Sequence, residues 1–374
     1  MEDFCEVQKI GVAGNDYPVI RLSFPSGLTI YGLPTPNQFG GVWGLGPTWN
    51  YLVEADQPFL VDAGRWGTGA LLLETMRQVG RELRDLAFVL LSHGHEDHDG
   101  GLAEVVAASG AAVRAHRVYA RLIRQYLEDA PEPRKRLFPA KCYHCFMPDA
   151  FCNANCLGYH AELFACQVQE IADGRQALGP DLETLHLPGH SPDALALVAG
   201  EEVLLLGDNL LPGITPWPTN LGMHRLTAPA LGPEYAQAGQ LYGLSRYLRS
   251  LNELAALAAE RPGLVGLPAH RLYHQGRVQT LDVALEVQQM RQHHRNRCAA
   301  ILDLLAQGPL EPAALAQRHF PPERLKGPNR EMGTREMLCH CELMLEAGAV
   351  VRNGRGYEAT GVGVGEVEAL ICGD

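Results

Sequence analysis

Short apolar runs alternate with segments of helical spacing over residues 17–207. The apolar runs are bounded by Gly, Pro or Asp, as buried strands commonly are. In the helical segments the apolar residues share one face, because residues such as Leu102, Val105 and Val106 are three and four positions apart. The predicted strands are 50–54, 59–62, 87–91 and 203–206, and the predicted helices are 70–80 and 101–109. This alternation predicts a mixed α/β fold with a largely buried sheet.

Residues 128–166 interrupt the alternation. This segment contains four prolines and five cysteines and shows no clear apolar periodicity. Proline removes a backbone donor and is disfavoured inside helices and central strands. We therefore predict an irregular, cysteine-rich insertion within the α/β domain.

The pattern beyond residue 278 is mainly helical. Helices are predicted at 294–306, 312–319 and 334–347, and an Asn353-Gly354 pair between apolar flanks predicts a hairpin turn. Helices followed by such a hairpin are typical of a winged helix. The predicted domains are therefore 1–278, which includes the insertion, and a winged-helix-like domain at 279–374.

The charge of the chain bears on its partners. Lys and Arg number 31 and Asp and Glu number 43, which gives a formal net charge of −12. Such an acidic chain disfavours nucleic acid as a partner and favours a small-molecule substrate. The C-terminal part from Arg291 to Asp374 carries ten basic and eleven acidic residues, which is not a DNA-binding footprint.

The sequence also carries expectations about location. The first six residues are acidic and lack the basic region and apolar core of a signal peptide. The apolar runs are far shorter than a membrane span. We therefore expect a cytoplasmic protein without a membrane partner, whose ten cysteines are thiols or metal ligands rather than disulfides.

The densest chemistry lies in the motif Ser92-His-Gly-His-Glu-Asp-His-Asp-Gly-Gly101. It follows the apolar run 87–91 and precedes the helical pattern at 101–109, so it is predicted to lie on a strand-to-helix loop. The motif supplies the imidazoles of His93, His95 and His98 together with the carboxylate of Asp97. Borderline divalent metals bind such mixtures of neutral nitrogen and anionic oxygen.

One loop can hardly surround two metal ions, so further ligands are expected elsewhere. His190, Asp208 and His270 each follow an apolar run in the sequence. A single His or Asp after a strand usually caps or hydrogen-bonds its neighbours. Three of them downstream of the His-rich motif favour a metal site.

These residues resemble the ligand pattern of the metallo-β-lactamase superfamily, and within it that of the glyoxalase II-like hydrolases. The resemblance covers roughly residues 50–270 and implies an αββα sandwich with two metal ions at one edge. It assigns the first ion to His93, His95 and His190, the second to Asp97, His98 and His270, and Asp208 to a bridging position. It also makes Asp62 the aspartate that orients a ligand histidine. Because glyoxalase II-like hydrolases can carry a similar C-terminal tail, the resemblance implies that the winged helix builds a pocket or a homodimer interface.

The resemblance implies a reaction type. Two divalent ions, with zinc favoured over iron or manganese, would share a bridging hydroxide that attacks the substrate, and Asp97 or Asp208 would assist as catalytic carboxylates. We expect a hydroxyacylglutathione-hydrolase-like enzyme that cleaves a small thioester or ester. A lactonase, an endoribonuclease and a mono-iron persulfide dioxygenase of the same superfamily remain alternatives. A ligand-sensing, DNA-binding regulator is the non-enzymatic alternative.

The insertion contains a second candidate metal site. Cys142, Cys145, Cys152 and Cys156 place four thiols within fifteen residues. Four thiolates suit a structural zinc ion, which would stabilise a segment that has few apolar residues of its own. An iron–sulfur cluster and unpaired thiols are the alternatives. Cys339 and Cys341, by contrast, lie on a predicted helix and are expected to pack in the hydrophobic core.

Overall fold

The structure is a computed structural model that describes residues 5–8, 16–37, 44–128, 158–327 and 329–372. The chain forms two compact units. The first comprises Met1–His186, Asp193–Ile214 and Arg261–Asp282, and the second comprises Leu187–Pro192, Thr215–Glu260 and Val283–Asp374. The predicted domain division at 278/279 stays a prediction, because the compact units divide the chain at other places.

The first unit contains an eight-stranded sheet whose strands lie in chain order. Its strands are β1 (Cys5–Gln8), β2 (Val19–Ser23), β3 (Thr29–Thr35), β4 (Thr48–Glu54), β5 (Phe59–Val61), β6 (Phe88–Leu90), β7 (Ala112–His116) and β8 (Val168–Ile171). Neighbours from β1 to β5 are antiparallel, whereas those from β5 to β8 are parallel. Parallel neighbours need crossover connections. Helices in these connections are α1 (Gly69–Gln78), α2 (Glu96–Asp99), α3 (Leu102–Ser109) and α4 (Arg117–Glu128).

A second sheet of six strands belongs to the same unit. In chain order its strands are β9 (Arg175–Gly179), β10 (Leu182–His186), β11 (Leu195–Ala199), β12 (Val203–Gly207), β13 (Val265–Pro268) and β16 (Leu281–Asp282). Their order in the sheet is β16-β13-β12-β11-β10-β9, and only β12 and β13 are parallel neighbours. A separate hairpin pairs β14 (Tyr273–His274) with β15 (Arg277–Val278).

Alternate residues of the first sheet enter two different cores. Phe59 and Phe88 stack at 4.6 Å between ring centroids in a core that also contains Leu197 and Leu205 of the second sheet. Leu60, on the opposite face of β5, belongs to a core that includes residues of α1 and α3. Because side chains alternate along a strand, both faces of the first sheet are buried. The predicted αββα sandwich is thereby confirmed.

The predicted elements of this unit correspond closely to the observed ones. The strands predicted at 50–54, 87–91 and 203–206 are β4, β6 and β12, with bounds that differ by one or two residues. The strand predicted at 59–62 ends one residue earlier, because Asp62 has a left-handed backbone with φ of 64°.

The prediction of an irregular insertion over the whole of 128–166 is wrong at its end, since residues 158–165 are helical. Tyr159 and Leu163 are buried in the core that includes α1 and α3. They are four positions apart and therefore share one helix face. The last proline of the insertion lies at position 148, before this helical segment.

The second unit is mainly helical. Its helices are α5 (His224–Thr227), α6 (Leu244–Glu260), α7 (Val283–Leu305), α8 (Pro312–His319), α9 (Asn329–Glu346) and α10 (Val364–Cys372). The helix predicted at 312–319 has the observed bounds, whereas α7 begins well before the predicted residue 294. The early part of α7 is held to α6 by Arg291, whose guanidinium donates to Oδ1 of Asn252. A winged-helix identity for this unit stays a prediction.

The C-terminal hairpin pairs β17 (Val350–Asn353) with β18 (Gly356–Ala359). The prediction of Asn353-Gly354 as the two central turn residues is wrong by one position. Asn353 pairs with Gly356 as the last residue of β17, so the turn residues are Gly354 and Arg355. Only Gly354 has a positive φ, of 60°, which corresponds to a turn with glycine at its first central position.

The helix predicted at 334–347 is α9, which begins five residues earlier and ends one residue earlier. Cys339 and Cys341 are both fully buried in α9, so their prediction as core residues is confirmed. The longest helix, α7, spans 23 residues but carries several charged side chains. Among the described residues, no helix combines the length and apolarity needed to cross a membrane.

Candidate metal centre

The His-rich motif lies on a loop that follows β6 and leads into the short helix α2. This loop is fixed to neighbouring segments through its backbone. The N–H of Gly94 donates to Oδ2 of Asp193 at 2.8 Å, and the carbonyl of His98 accepts from the N–H of Ala63 at 2.7 Å. The N–H of Gly101 donates to the carbonyl of Gly64 at 3.1 Å. Asp193 and the residues that follow β5 therefore hold the motif in place.

Asp62 is the first residue after β5 and is buried. Its Oδ1 accepts the N–H of Ser92 at 2.7 Å, and its Oδ2 lies 2.8 Å from Nδ1 of His98. The hydroxyl of Ser92 donates to the same Oδ2 at 2.8 Å and lies 3.0 Å from Nδ1 of His93. Because that hydroxyl donates to Asp62, it accepts from His93. One carboxylate thus orients His98 directly and His93 through Ser92.

The ligands of the first unit that were predicted from the sequence form two groups. His93, His95 and Asp208 have ligand atoms within 4.8 Å of one another. Nε2 of His93 and Nδ1 of His95 are 3.0 Å apart. Asp208 follows β12, so its position is fixed by the end of a buried strand of the second sheet.

The second group consists of Asp97, His98 and His270, whose ligand atoms also lie within 4.8 Å of one another. Nε2 of His270 lies 3.2 Å from Oδ2 of Asp97, and Nε2 of His98 lies 3.7 Å from that oxygen. Nδ1 of His270 lies 3.2 Å from the carbonyl of Pro47, which can only accept. This fixes the proton on Nδ1 and directs the Nε2 lone pair towards Asp97.

Asp208 lies between the two groups. Its Oδ1 is 3.6 Å from Nε2 of His98 and 3.5 Å from Nε2 of His270, both of which belong to the second group. Its ligand atom is also within 4.8 Å of those of His93 and His95. A carboxylate in this position can contact ions in both groups.

His190 is assigned to the second unit, within Leu187–Pro192. Its Nδ1 lies 2.9 Å from the carbonyl of Trp217 in the same unit. The proton is therefore on Nδ1, and Nε2 carries the lone pair, as a metal ligand requires. Its assignment to the first ion stays a prediction.

The donor atoms fit divalent metal ions. Nε2 of His98 and Nε2 of His270 are buried, and neither forms a hydrogen bond with any residue in the described part of the chain. Bonds of 2.0–2.1 Å to a tetrahedral ion place its ligand atoms about 3.3 Å apart. The separations of 3.2 to 3.7 Å around Asp97 and Asp208 are close to this value. These separations therefore fit the ligands of a metal ion better than they fit hydrogen bonds between the side chains.

Comparison with known proteins agrees with this geometry. A family model described as the metallo-beta-lactamase superfamily matches residues 43–286, which include all seven predicted ligands. The chain belongs to the metallo-beta-lactamase superfamily.

Individual relatives of this superfamily extend the comparison. A metallo-beta-lactamase family protein from Thermus thermophilus is 26% identical, with a TM-score of 0.62 over 88% of this chain and 98% of its own. A beta-lactamase domain protein from Burkholderia ambifaria is 20% identical, with a TM-score of 0.64 over 95% and 97% of the two chains, and shows the same fold. An N-acyl homoserine lactonase from Bacillus sp. is 24% identical over 42% of this chain. The match spans 59% of that lactonase.

The carboxylates of Asp97 and Asp208 concentrate negative charge at this site, and they favour protonated forms of the neighbouring histidines. Burial alone would lower the pKa of His98, but the carboxylates of Asp97 and Asp208 outweigh burial and raise it well above its usual value. The pKa of His270 is raised for the same reason. The pKa of Asp97 is lowered in spite of burial, chiefly because of His98 and His270. A bound cation would take the place of these protons.

Several residues that contact the candidate ligands were not predicted from the sequence. Thr48 donates to Oδ2 of Asp97 at 3.0 Å, and Asn37 donates to the same oxygen at 3.2 Å. Asp193, which accepts from the motif loop, lies just beyond the predicted ligand His190. Thr48 and Asn37 are distant from the motif in sequence, and neither residue type marks a metal site. The strand predicted from the sequence begins at residue 50, so it did not include Thr48.

The predicted cysteine site cannot be placed. Cys142, Cys145, Cys152 and Cys156 lie outside the described residues. A structural zinc ion bound by these four residues therefore stays a prediction.

Replacing Gly100 by alanine tests how the motif is packed. A Cβ at this position would lie 2.0 Å from the backbone nitrogen of Trp66 and 2.3 Å from the carbonyl oxygen of Glu96. Backbone atoms cannot yield as side-chain ends do, so we expect Gly100→Ala to lower the free energy of unfolding by about 3 kcal/mol or more. Chemical denaturation measures this loss. Gly179→Ala is the control, since no atom lies within 4 Å of its added Cβ, and equal stability of the two variants would contradict the prediction.

The pH dependence of metal binding tests the electrostatics. Because the pKa values of His98 and His270 are raised, these rings hold protons at and above the ordinary histidine pKa, and a metal ion must displace them. We expect the apparent zinc affinity to rise from about pH 6 and to keep rising above about pH 7. Competition with a chromophoric chelator at several pH values measures it. An affinity that does not change above neutral pH would contradict the prediction.

Proposed function

We propose that this chain is a dinuclear metal-dependent hydrolase that cleaves a small carboxylic thioester or ester, in the manner of hydroxyacylglutathione hydrolases. The observation that supports it best is the position of Asp208. Its Oδ1 is within 3.6 Å of both His98 and His270, and its ligand atom also belongs to the group with His93 and His95. A carboxylate shared between two nitrogen-rich groups favours two ions rather than one.

The two groups differ in the donors they offer. His93 and His95, with the predicted His190, offer imidazole nitrogen, while Asp97, His98 and His270 add a carboxylate. Neutral imidazoles with a few carboxylates favour zinc, with iron or manganese as alternatives. When bound, divalent ions lower the pKa of water and polarise an acyl oxygen.

The protein supplies orientation. Asp62 and Pro47 accept the Nδ1 protons of His98 and His270, so that both rings present Nε2 to the centre. Each ring would otherwise exchange between two tautomers and rotate about its side-chain bonds. Fixing them before the reaction reduces the reorganisation that the transition state requires.

The two candidate catalytic carboxylates are suited to different tasks. Oδ2 of Asp97 accepts hydrogen bonds from Thr48 and Asn37, which stabilise its charge and reduce its basicity. Asp208 lies between the two groups. We assign proton transfer to Oδ1 of Asp208 and ligand orientation to Asp97.

Lactone hydrolysis is the second candidate, favoured by the relative named N-acyl homoserine lactonase. A lactone is a cyclic ester, so the attack on its carbonyl carbon and the proton transfer are the same as for a linear ester. The two candidates therefore differ in the shape of the substrate and share the chemistry of the site.

A panel of substrates tests this function. We expect the zinc-loaded protein to hydrolyse acyl-glutathione thioesters or acyl homoserine lactones, and to lose that activity with a chelator and regain it with zinc. Short RNA and glutathione persulfide are the comparison substrates. Cleavage of RNA alone, or oxygen consumption with persulfide by a protein that holds one iron ion, would replace the proposal with one of the superfamily alternatives.

Replacing Asp62 by asparagine tests the orientation of the histidines. Asparagine tolerates the left-handed backbone. It offers only one acceptor oxygen, whereas Ser92 and His98 donate to both carboxylate oxygens of Asp62. We expect hydrolysis or metal affinity to fall by about 10- to 100-fold. Asp181 is also left-handed, with φ of 57°, but is exposed, so Asp181→Asn serves as the control. Equal activity of the two variants would contradict the proposed role of Asp62.

A further inference from the structure

We propose that Thr48 is a positioning residue that selectively sets the affinity of the metal position formed by Asp97, His98 and His270. This inference rests on the proposed function, because it takes those three residues as ligands of one ion. Thr48 and its neighbour Pro47 together touch two of the three, and neither residue is itself a candidate ligand.

The contacts of Thr48 reach both sides of this position. Its hydroxyl donates to Oδ2 of Asp97 at 3.0 Å, the oxygen that lies 3.2 Å from Nε2 of His270. Its backbone forms an isolated β-bridge with His270. The carbonyl of Pro47 accepts the Nδ1 proton of His270 at 3.2 Å. A two-residue segment therefore sets the orientation of the carboxylate and the tautomer of the imidazole.

Thr48 is itself held rigidly. It is the first residue of β4, where it pairs with Thr35 in a seven-residue antiparallel ladder with β3. Its carbonyl accepts the hydroxyl of Thr35 at 3.3 Å. The next residue, Trp49, donates its N–H to the carbonyl of Ala269 at 2.7 Å, which links β4 to the residue before His270. Thr48 is fully buried, so the hydroxyl has little freedom to turn away.

The second donor to Asp97 supports the same role. Asn37 lies two residues beyond β3 and donates Nδ2–H to Oδ2 of Asp97 at 3.2 Å. Carboxylates that bind metals are commonly held by hydrogen bonds of this kind, and loss of one usually costs 10- to 100-fold in metal affinity. Thr48 begins β4 and Asn37 follows β3, so both donors lie at the same end of the β3–β4 ladder, which carries no predicted ligand.

The effect is expected to be confined to one ion. In the described part of the chain, the Thr48 hydroxyl donates to Asp97 and makes no hydrogen bond with His93, His95 or Asp208. The imidazole of His93 is oriented by Ser92 and Asp62 instead. A change at Thr48 should therefore weaken the second ion and leave the first in place.

Thr48→Val tests the inference, because valine keeps the branched shape and removes only the donor. Two zinc dissociation constants are measured by competition with a chromophoric chelator, and the absorption of the cobalt-loaded protein reports on the ligands independently of activity. We expect one of the two binding steps to lose about 10- to 100-fold in affinity and the other to stay unchanged. Thr184→Val is the matched control, since Thr184 is equally buried in a strand and its hydroxyl donates to the carbonyl of Gln176. Thr48→Ser should restore the wild-type constants.

The outcomes separate this inference from the proposed function. A wild-type protein that binds fewer than two ions at the main site overturns the dinuclear function and the inference with it. A wild-type protein with two ions and a Thr48→Val variant with unchanged constants overturns the inference alone, as does equal weakening of both ions. If Thr48→Val does not fold, Asn37→Ala at a partly exposed position removes the other donor, and it must weaken the same ion for the inference to stand.

Discussion

The organisation of the centre depends on the carboxylate of Asp62. It accepts the backbone and side-chain donors of Ser92 together with Nδ1 of His98, and through Ser92 it also orients His93. Its left-handed backbone places this side chain beside the neighbouring parallel strand. A buried carboxylate needs such a set of donors, because desolvation without them would be costly. The requirement to satisfy Asp62 and the requirement to orient the metal ligands are therefore met by the same contacts.

Topology explains why distant segments meet here. The motif and Asp62 follow β6 and β5, which are parallel, while Asp208 and the segment 269–271 follow β12 and β13, which are also parallel. The ends of parallel neighbours lie at one edge of a sheet. The start of β4 reaches the same edge because β4 runs antiparallel to β5. Thr48 therefore lies beside the ligands at the beginning of its strand, whereas the ligand-bearing segments follow the ends of theirs.

Sequence reasoning succeeded where a pattern had a local cause. The apolar runs of β4, β6 and β12 and the proline-started helix at 312–319 are specified by their own residues. It failed where the partner was remote, as for Thr48 and Asn37, which carry no chemical mark until the fold brings them to Asp97. The C-terminal turn shows a subtler limit: Asn353 and Gly354 both suit a turn, and the strand register decided which pair forms it.

The four residues of α2 show how burial selects one charge among three carboxyl groups. Burial raises the pKa of Glu96 to about 8, and it also raises that of Asp99. Asp97 behaves in the opposite way, because His98 and His270 lower its pKa. Neighbouring carboxylates in one helical turn would repel if all were ionised. The surroundings therefore favour the charged form at Asp97, which is the form that an anionic metal ligand needs.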